Sequence, residues 1–582
     1  MSIGEDEAAF KNLNALYAEP TGHEKIVNEL WGEIPASLRE AHSLASKIRS
    51  ELELSTDLLE PLKKGLKDQL RDMGMLTSSV AESIDVLERG VVETGQQPVC
   101  LAGTSLIFNK MACSVRLSQL ERKESFIPLF YVADYDGIQK ELLNVRVPSP
   151  SPKGLLISLP SEAEIFGCPI YTLKNPSESW LKQSLEKILN NYKGLTKGSD
   201  ERLRSSKLQN MLHAFTIIRS SFHSSENVSE WSTKIVGSLI NIEAELGIPI
   251  LSFSANSTRK LFQIGYEILL SEPNRSRFIE AANLAAQIVQ SAGFNPQIGV
   301  RSNDYVPFFL ECMNENCHKK RIDLKYRFEE RSTSAHVVGK CPSCGEEYDF
   351  SFEAHNPDLS EIIEWISPRV DSRQIIVDSV LPVVCHLGGP GEVGYYAEVI
   401  PAARRLRLTF PVFFRYTRVF YNSPWNENLA SALQAMNYPT LMNRDMFAAL
   451  NMWVEARNRG GETEVFKAHD ELQRNIERVF TGLLEEAERL NREIEEIRMA
   501  LGKTTDRTSL LKTMREKQHV HDEISLYLSS QFGRFSPEKF GQEVSWSWLD
   551  LAAASGLSDL MGAFLRLYNE HTPNSSMYYT NI

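Results

Sequence analysis

The chain has 582 residues, 42% of them hydrophobic, 24% charged and 9% aromatic, a globular profile that argues against a disordered or fibrous protein and allows about four folding units. Subtracting 76 acidic from 63 basic side chains leaves a net charge of −13, which argues against non-specific binding of nucleic acid over the whole surface. No apolar run reaches the roughly 18 residues that cross a bilayer, and the opening Met1-Ser-Ile-Gly-Glu-Asp-Glu is acidic where a signal peptide is basic and then apolar. A soluble, cytoplasmic protein with no membrane partner is expected.

Residues 1–88 read as helices, with Leu13, Leu16, Leu30, Leu44 and Leu58 set among charges. From Gly90 the pattern is βαβ: an apolar start at Val91, the loop Thr94-Gly-Gln-Gln-Pro98, a helix to about Arg122, and a strand Ile127-Pro-Leu-Phe-Tyr-Val-Ala133. A helical stretch over 201–300 follows, with Leu208, Met211, Leu212 and Phe215 predicted on one face and Ile235, Leu239, Ile242 and Leu246 on another.

Cys312-x4-Cys317 and Cys341-x2-Cys344 are two knuckles whose four thiolates suit a tetrahedral Zn²⁺ ion. The spacing predicts a zinc ribbon over 301–355, and four sulfur ligands close the shell, which favours a structural ion over a catalytic one. Many ribbons bind nucleic acid, and His318-Lys-Lys-Arg321 is basic, yet residues 312–350 hold seven basic and seven acidic side chains. The other cysteines (Cys100, Cys113, Cys168 and Cys385) are scattered singly, so a reducing compartment is expected.

A second βαβ unit runs from Val380-Leu-Pro-Val-Val-Cys385 through Gly388-Gly-Pro-Gly-Glu392 and a helix to Phe410-Pro-Val-Phe-Phe-Arg415. The two units predict one parallel sheet with inserted material between its halves and a ligand crevice at the carboxyl ends of its strands. Thr94, Gly95, Gln96 and Gln97 would offer N–H and amide groups to an anion or sugar, or form only a turn. Gly388, Gly389 and Gly391 permit close backbone approach, and Glu392 adds a carboxylate or merely caps a helix. Alternation would put Asp134 and Asp136 on one face of the sheet edge, suited to an amine, a ribose or a cation, or they would simply form a turn. After Asn458, Leu472, Ile476, Val479, Leu483, Ala487, Leu490, Ile494, Ile497 and Leu501 follow a heptad-like spacing. A second helix after Gly502 would fold back or pair with another chain, and Trp546, Trp548 and Leu549 would return the chain to the core.

Glu93-Thr-Gly-Gln-Gln-Pro98, Val132-Ala-Asp-Tyr-Asp136 and Val380-Leu-Pro-Val-Val-Cys-His-Leu-Gly-Gly-Pro-Gly-Glu-Val-Gly-Tyr-Tyr396 together resemble the bacillithiol biosynthesis cysteine-adding enzymes, from about residue 85 to the end. The resemblance implies an α/β, Rossmann-like core related in layout to class I aminoacyl-tRNA synthetases, and a C-terminal coiled coil that dimerises. It also implies a ligase that joins cysteine to the free amine of glucosaminyl malate. The units would be an N-terminal helical segment at 1–88, core halves at 89–200 and 356–457, a helical insertion at 201–300 and the ribbon at 301–355. A coiled-coil hairpin at 458–530 and a core-packing segment at 531–582 would complete the chain.

Under this reading Asp134, Asp136 and Glu392 carry the chemistry. Thr94, Gly95, Gln96, Gln97, Gly388, Gly389, Gly391 and Tyr395 line the site, and Arg415 and Arg418 stabilise negative charge. Amide formation from a carboxylate requires its activation, which implies ATP with Mg²⁺. Tyr135 stands where the family has a histidine between the two aspartates. Two further readings are a class I synthetase-like protein acting on an aminoacyl or tRNA substrate, and a non-catalytic coiled-coil scaffold on a decayed enzyme core.

Overall fold

The computed structural model describes residues 13–582 apart from 150–154, 441–451, 453–461, 533–545 and short stretches at 19, 21, 53–54, 122–123, 148, 197–199, 329–332, 423, 503–506, 576 and 582. In chain order the strands are β1 (Val91–Gln96), β2 (Ile127–Val132), the hairpin β3 (Asn144–Val147) and β4 (Leu155–Ser158), and β5 (Ile250–Ser252). Then come β6 (Tyr305–Glu311), β7 (Arg321–Phe328), β8 (Ser334–Lys340), β9 (Glu347–Glu353) and β10 (Ile366–Pro368). The last four are β11 (Val383–Gly388), β12 (Val412–Arg415), β13 (Arg418–Asn422) and β14 (Met577–Asn581).

Strands rich in Val, Leu and Phe, buried on both faces, form a parallel sheet in the order β12-β11-β1-β2-β5. From the central pair, β1 leads outward to β2 while β11 leads the opposite way to β12. The switch point therefore lies between the carboxyl ends of β1 and β11, where open α/β sheets form their ligand crevice. β5 falls inside the stretch predicted as helical, because three apolar residues carry too short a signal to register as a strand.

The stretch around β5 is otherwise mainly helical, with two departures from the predicted faces. Met211, Phe215 and Ile218 are buried, but Leu212 is 48% exposed, since it lies about 100° around the helix from Met211. Ile242 is 58% exposed because Ser238–Glu243 winds as a π-turn, whose wider pitch breaks the 3.6-residue phase.

The cysteine-rich segment is an antiparallel sheet in the order β10-β6-β7-β8-β9. One cysteine pair sits between β6 and β7 and the other between β8 and β9, so both knuckles meet at one end of the sheet. None of the eight cysteines is disulfide-bonded.

The N-terminal helices brace the glycine loop: the Trp31 indole donates to Val393 O at 3.0 Å and Asn14 Nδ2 to Pro390 O at 2.7 Å. Beyond the core, helices Glu462–Leu501 and Arg507–Phe532 fold back on one another, with Lys517 on Glu493 at 2.5 Å. Val479, Leu483, Ala487, Leu490 and Ile494 are buried within the single chain, as are Ile524, Tyr527 and Leu528 opposite. Trp548 returns to the core, its indole donating to Leu101 O at 2.9 Å. No described helix is long and apolar enough to cross a membrane.

Candidate active site

At the switch point a chain of ionisable and amide groups spans three strands. Glu93 of β1 and His386 of β11 are register neighbours, and Glu93 Oε2 lies 3.1 Å from His386 Nδ1. Glu93 is fully buried; it also accepts from Arg373 Nη1 and Gln374 Nε2, each at 2.9 Å. Burial pushes its carboxyl up, but Arg373 and the His386 contact outweigh it and hold the group below the ordinary value.

The other His386 nitrogen, Nε2, lies 3.1 Å from Glu392 Oε1. Glu392 accepts from the Gly389 N–H at 2.5 Å, which caps helix Pro390–Arg405, and from Lys110 Nζ at 3.0 Å. Against burial, Lys110, His386 and the Gly389 N–H hold this carboxyl well below the usual range.

Lys110, on helix Leu106–Ser118, donates in turn to Gly95 O at 3.1 Å and Gln96 Oε1 at 3.4 Å. Gln96 Nε2 donates to Gln97 Oε1 at 2.8 Å, and Gln97 Nε2 to Asp136 Oδ2 at 3.0 Å. Asp136 is half-buried, 3.7 Å from Arg321 Nη1. Burial raises its carboxyl pKa above the ordinary value, with Arg321 and Gln97 opposing.

Gln96, Gln97, Asp136 and Glu392, up to 296 residues apart, thus belong to one hydrogen-bonded series. Asp134 points elsewhere: it accepts from the Ser254 N–H at 2.9 Å, from Ser254 Oγ at 2.5 Å and from Ser252 Oγ. The two aspartates diverge because β2 ends at Val132 and the chain turns, so strand alternation no longer governs them. Burial raises the Asp134 carboxyl although three donors oppose it. Tyr135 between them is buried, its ring centroid 5.3 Å from that of Phe253 and 6.4 Å from that of Tyr131.

The remaining predicted residues divide by role. Thr94 is buried and donates to Leu387 O at 3.0 Å, a bond within the sheet. A Cβ at Gly95 would lie 2.6 Å from Tyr131 O, and one at Gly388 2.4 Å from the Phe413 ring, whereas one at Gly391 would meet nothing within 4 Å. Gly389 sits against Tyr416, and Tyr395 packs edge-on to Tyr396 at 4.7 Å. Arg415, the last residue of β12, and Arg418, the first of β13, are both buried, the Arg415 N–H bonding Asn574 Oδ1 at 3.2 Å.

Sequence reasoning assigned no role to Glu93, Lys110, Arg373 or His386. Glu93 and His386 each interrupt an apolar run, in Val-Val-Glu and Val-Val-Cys-His. A buried ionisable residue is uncommon enough to serve as a signal in itself.

The ligand atoms of Cys312, Cys317, Cys341 and Cys344 lie within 4.8 Å of one another. Three of these residues are buried and Cys344 is exposed. Four convergent sulfurs at this spacing could hold a metal ion, and the donor set suits a thiophilic, tetrahedral one.

A parallel sheet with ionisable groups gathered at its switch point defines a Rossmann-like core with a candidate site on the carboxyl edge. The profile of the family described as Bacillithiol biosynthesis BshC, N-terminal Rossmann-like domain, matches residues 9–416, and the chain belongs to that family. The match begins well before residue 85, so it includes the N-terminal helices. Relatives carrying the name "Putative cysteine ligase BshC" include one from Desulforamulus reducens, 22% identical over 397 residues, which are 67% of this chain and 66% of the relative. One from Carboxydothermus hydrogenoformans is 22% identical over 498 residues, 83% and 84% of the two chains. One from Bacillus cytotoxicus is 23% identical over 265 residues, 44% and 45%.

Proposed function

We propose that this protein is a carbon–nitrogen ligase of low-molecular-weight thiol biosynthesis, joining cysteine by an amide bond to the amine of a glucosaminyl-malate-type acceptor. The observation that carries the reading is the Glu93–His386–Glu392–Lys110–Gln96–Gln97–Asp136 series at the sheet's switch point. The name borne by the relatives supports it.

In this reading Asp136, half-buried and with a raised pKa, takes the proton of the attacking amine. Gln96 and Gln97 face the sugar or its anionic group, and Lys110 and Glu392 keep that wall rigid and charged. Asp134 orders the adjoining edge, and Arg415 and Arg418 stabilise negative charge developing on the acyl group. The carboxylate needs activation by adenylation or phosphorylation before the amine attacks, and ATP with Mg²⁺ is the proposed donor. The four cysteines hold a structural Zn²⁺ ion, making the inserted sheet a zinc ribbon. A cytoplasmic homodimer completes the reading, with the exposed Leu484, Met499 and Leu511 of the hairpin available to a second copy. The division into units at 88, 200, 300, 355, 457 and 530 belongs to the same proposal.

The test is to incubate the purified chain with L-cysteine, ATP, Mg²⁺ and glucosaminyl malate and to detect the conjugate by mass spectrometry. Product should form, and Asp136→Asn should lower its rate by about 10²-fold or more. Absence of product, or full activity in Asp136→Asn, overturns the assignment.

A further inference from the structure

The first cysteine knuckle does more than close the inserted sheet. Its chain is closed by Cys312 N–H on Lys320 O at 2.9 Å and Lys320 N–H on Cys317 O at 3.2 Å. Between these bonds His318 and Lys319 both take the left-handed conformation, with φ of 50° and 55°, which side chains other than glycine rarely adopt. That backbone turns the basic run inward. Lys320 Nζ bonds Phe166 O, Arg321 faces Asp136, and Lys319 reaches a cavity of about 600 Å³ beside the carboxyl ends of β2 and β5.

The cavity's charges are arranged unequally. Arg259 is engaged by buried Glu311 at 2.5 and 3.2 Å, Glu364 by Lys260 at 2.6 Å, and Glu230 by Lys234 at 2.8 Å. Lys319 Nζ donates to the Tyr171 hydroxyl at 3.0 Å and lies 4.9 Å from the Tyr171 ring and 5.3 Å from that of Trp365. Among the described residues no carboxylate lies within 4.0 Å of it. Glu311 reaches it only through the Tyr171 hydroxyl, which donates to that carboxylate, and an ammonium held between two rings with no carboxylate bonded directly to it can receive an anion. Asp134 borders the same cavity and Asp72 stands exposed at its rim, so an ammonium group is also accommodated.

We propose that this cavity is a subsite for an α-amino acid, whose carboxylate is received by Lys319, and that metal on the four cysteines positions that lysine. The choice of amino acid as ligand rests on the ligase reading; the binding itself does not require turnover. Lys319 is then a specificity residue, and the inserted segment reaches the cavity through it, with buried Glu311 holding Arg259 and Tyr171 from behind.

Calorimetry on the full chain tests this with two thioether probes, which avoid thiol exchange with the knuckles: S-methyl-L-cysteine, and 2-(methylthio)ethylamine, which lacks the carboxylate. Wild-type protein should bind S-methyl-L-cysteine. Lys319→Met should weaken that binding by about tenfold or more, Lys319→Arg should retain most of it, and neither should alter the response to the amine. Removing metal with a chelator should reproduce the loss and Zn²⁺ should restore it. Lys340→Met, which removes an exposed lysine paired with Glu347, should change nothing. No binding by the wild type, an unchanged affinity in Lys319→Met, or binding indifferent to metal overturns the proposal. Lys319-dependent binding without conjugate formation would leave the subsite standing and remove the ligase reading; conjugate formation indifferent to Lys319→Met would do the reverse.

Discussion

Glu392 accepts from Lys110, lies against His386 and caps its own helix, so its charged form is favoured in the folded state despite burial. A carboxyl whose folded pKa is depressed contributes stability above its unfolded value, about 4.3, and loses it as pH falls towards the folded one. Glu392→Gln should therefore cost about 1–3 kcal/mol at pH 7. The gap from wild type should narrow below about pH 4, read from urea unfolding at both pH values. An equal gap at pH 7 and pH 3.5 would contradict the role given to this charge. Glu392 and Asp136 were legible as members of short motifs. Lys110 lies outside those motifs, and His386 lies inside one without a role that the motif assigns, because what recruits both is the register of β1 against β11 and the placing of a helix over both.

At the scale of elements, the glycine loop after β11 holds two glycines with different jobs. Gly388 ends the strand where a Cβ would collide with Phe413, whose ring stacks on His386 at 6.1 Å. Gly391 begins the helix facing open space. Gly388→Ala should lower stability by about 1–3 kcal/mol through overpacking and disturb the His386 contacts. Gly391→Ala should leave the thermal midpoint unchanged or raise it, since alanine favours a helix over glycine. The opposite order of midpoints would refute this division. The glycine run marked the loop in the sequence, but only the position of Phe413 on the neighbouring strand distinguishes the two residues. The same limit applies to Ile242, whose exposure follows from a π-turn that periodicity does not announce.

For the whole molecule, one preparation answers two questions. Metal analysis should give about one Zn²⁺ per chain, lost in the Cys341→Ser, Cys344→Ser double variant; unchanged stoichiometry there would remove the cysteines as ligands. Light scattering should give twice the 65.9 kDa chain mass, while a monomer at micromolar concentration would remove the dimer. The second helix covers the heptad seam from Val479 to Ile494 within one chain, so a dimer would use the exposed Leu484, Met499 and Leu511 in place of that seam. By itself the sequence determined four of the five parallel strands, the cysteine knuckles, the long helical pair and the family, since each depends on local pattern: apolar runs, fixed spacings and short motifs. Tertiary structure alone decided that Asp134 and Asp136 diverge, that His386 bridges Glu93 and Glu392, and that Lys319 of the basic run after Cys317 reaches a cavity. Those outcomes depend on strand register, on where a turn ends a strand and on the backbone handedness of two knuckle residues, which bring together side chains hundreds of positions apart.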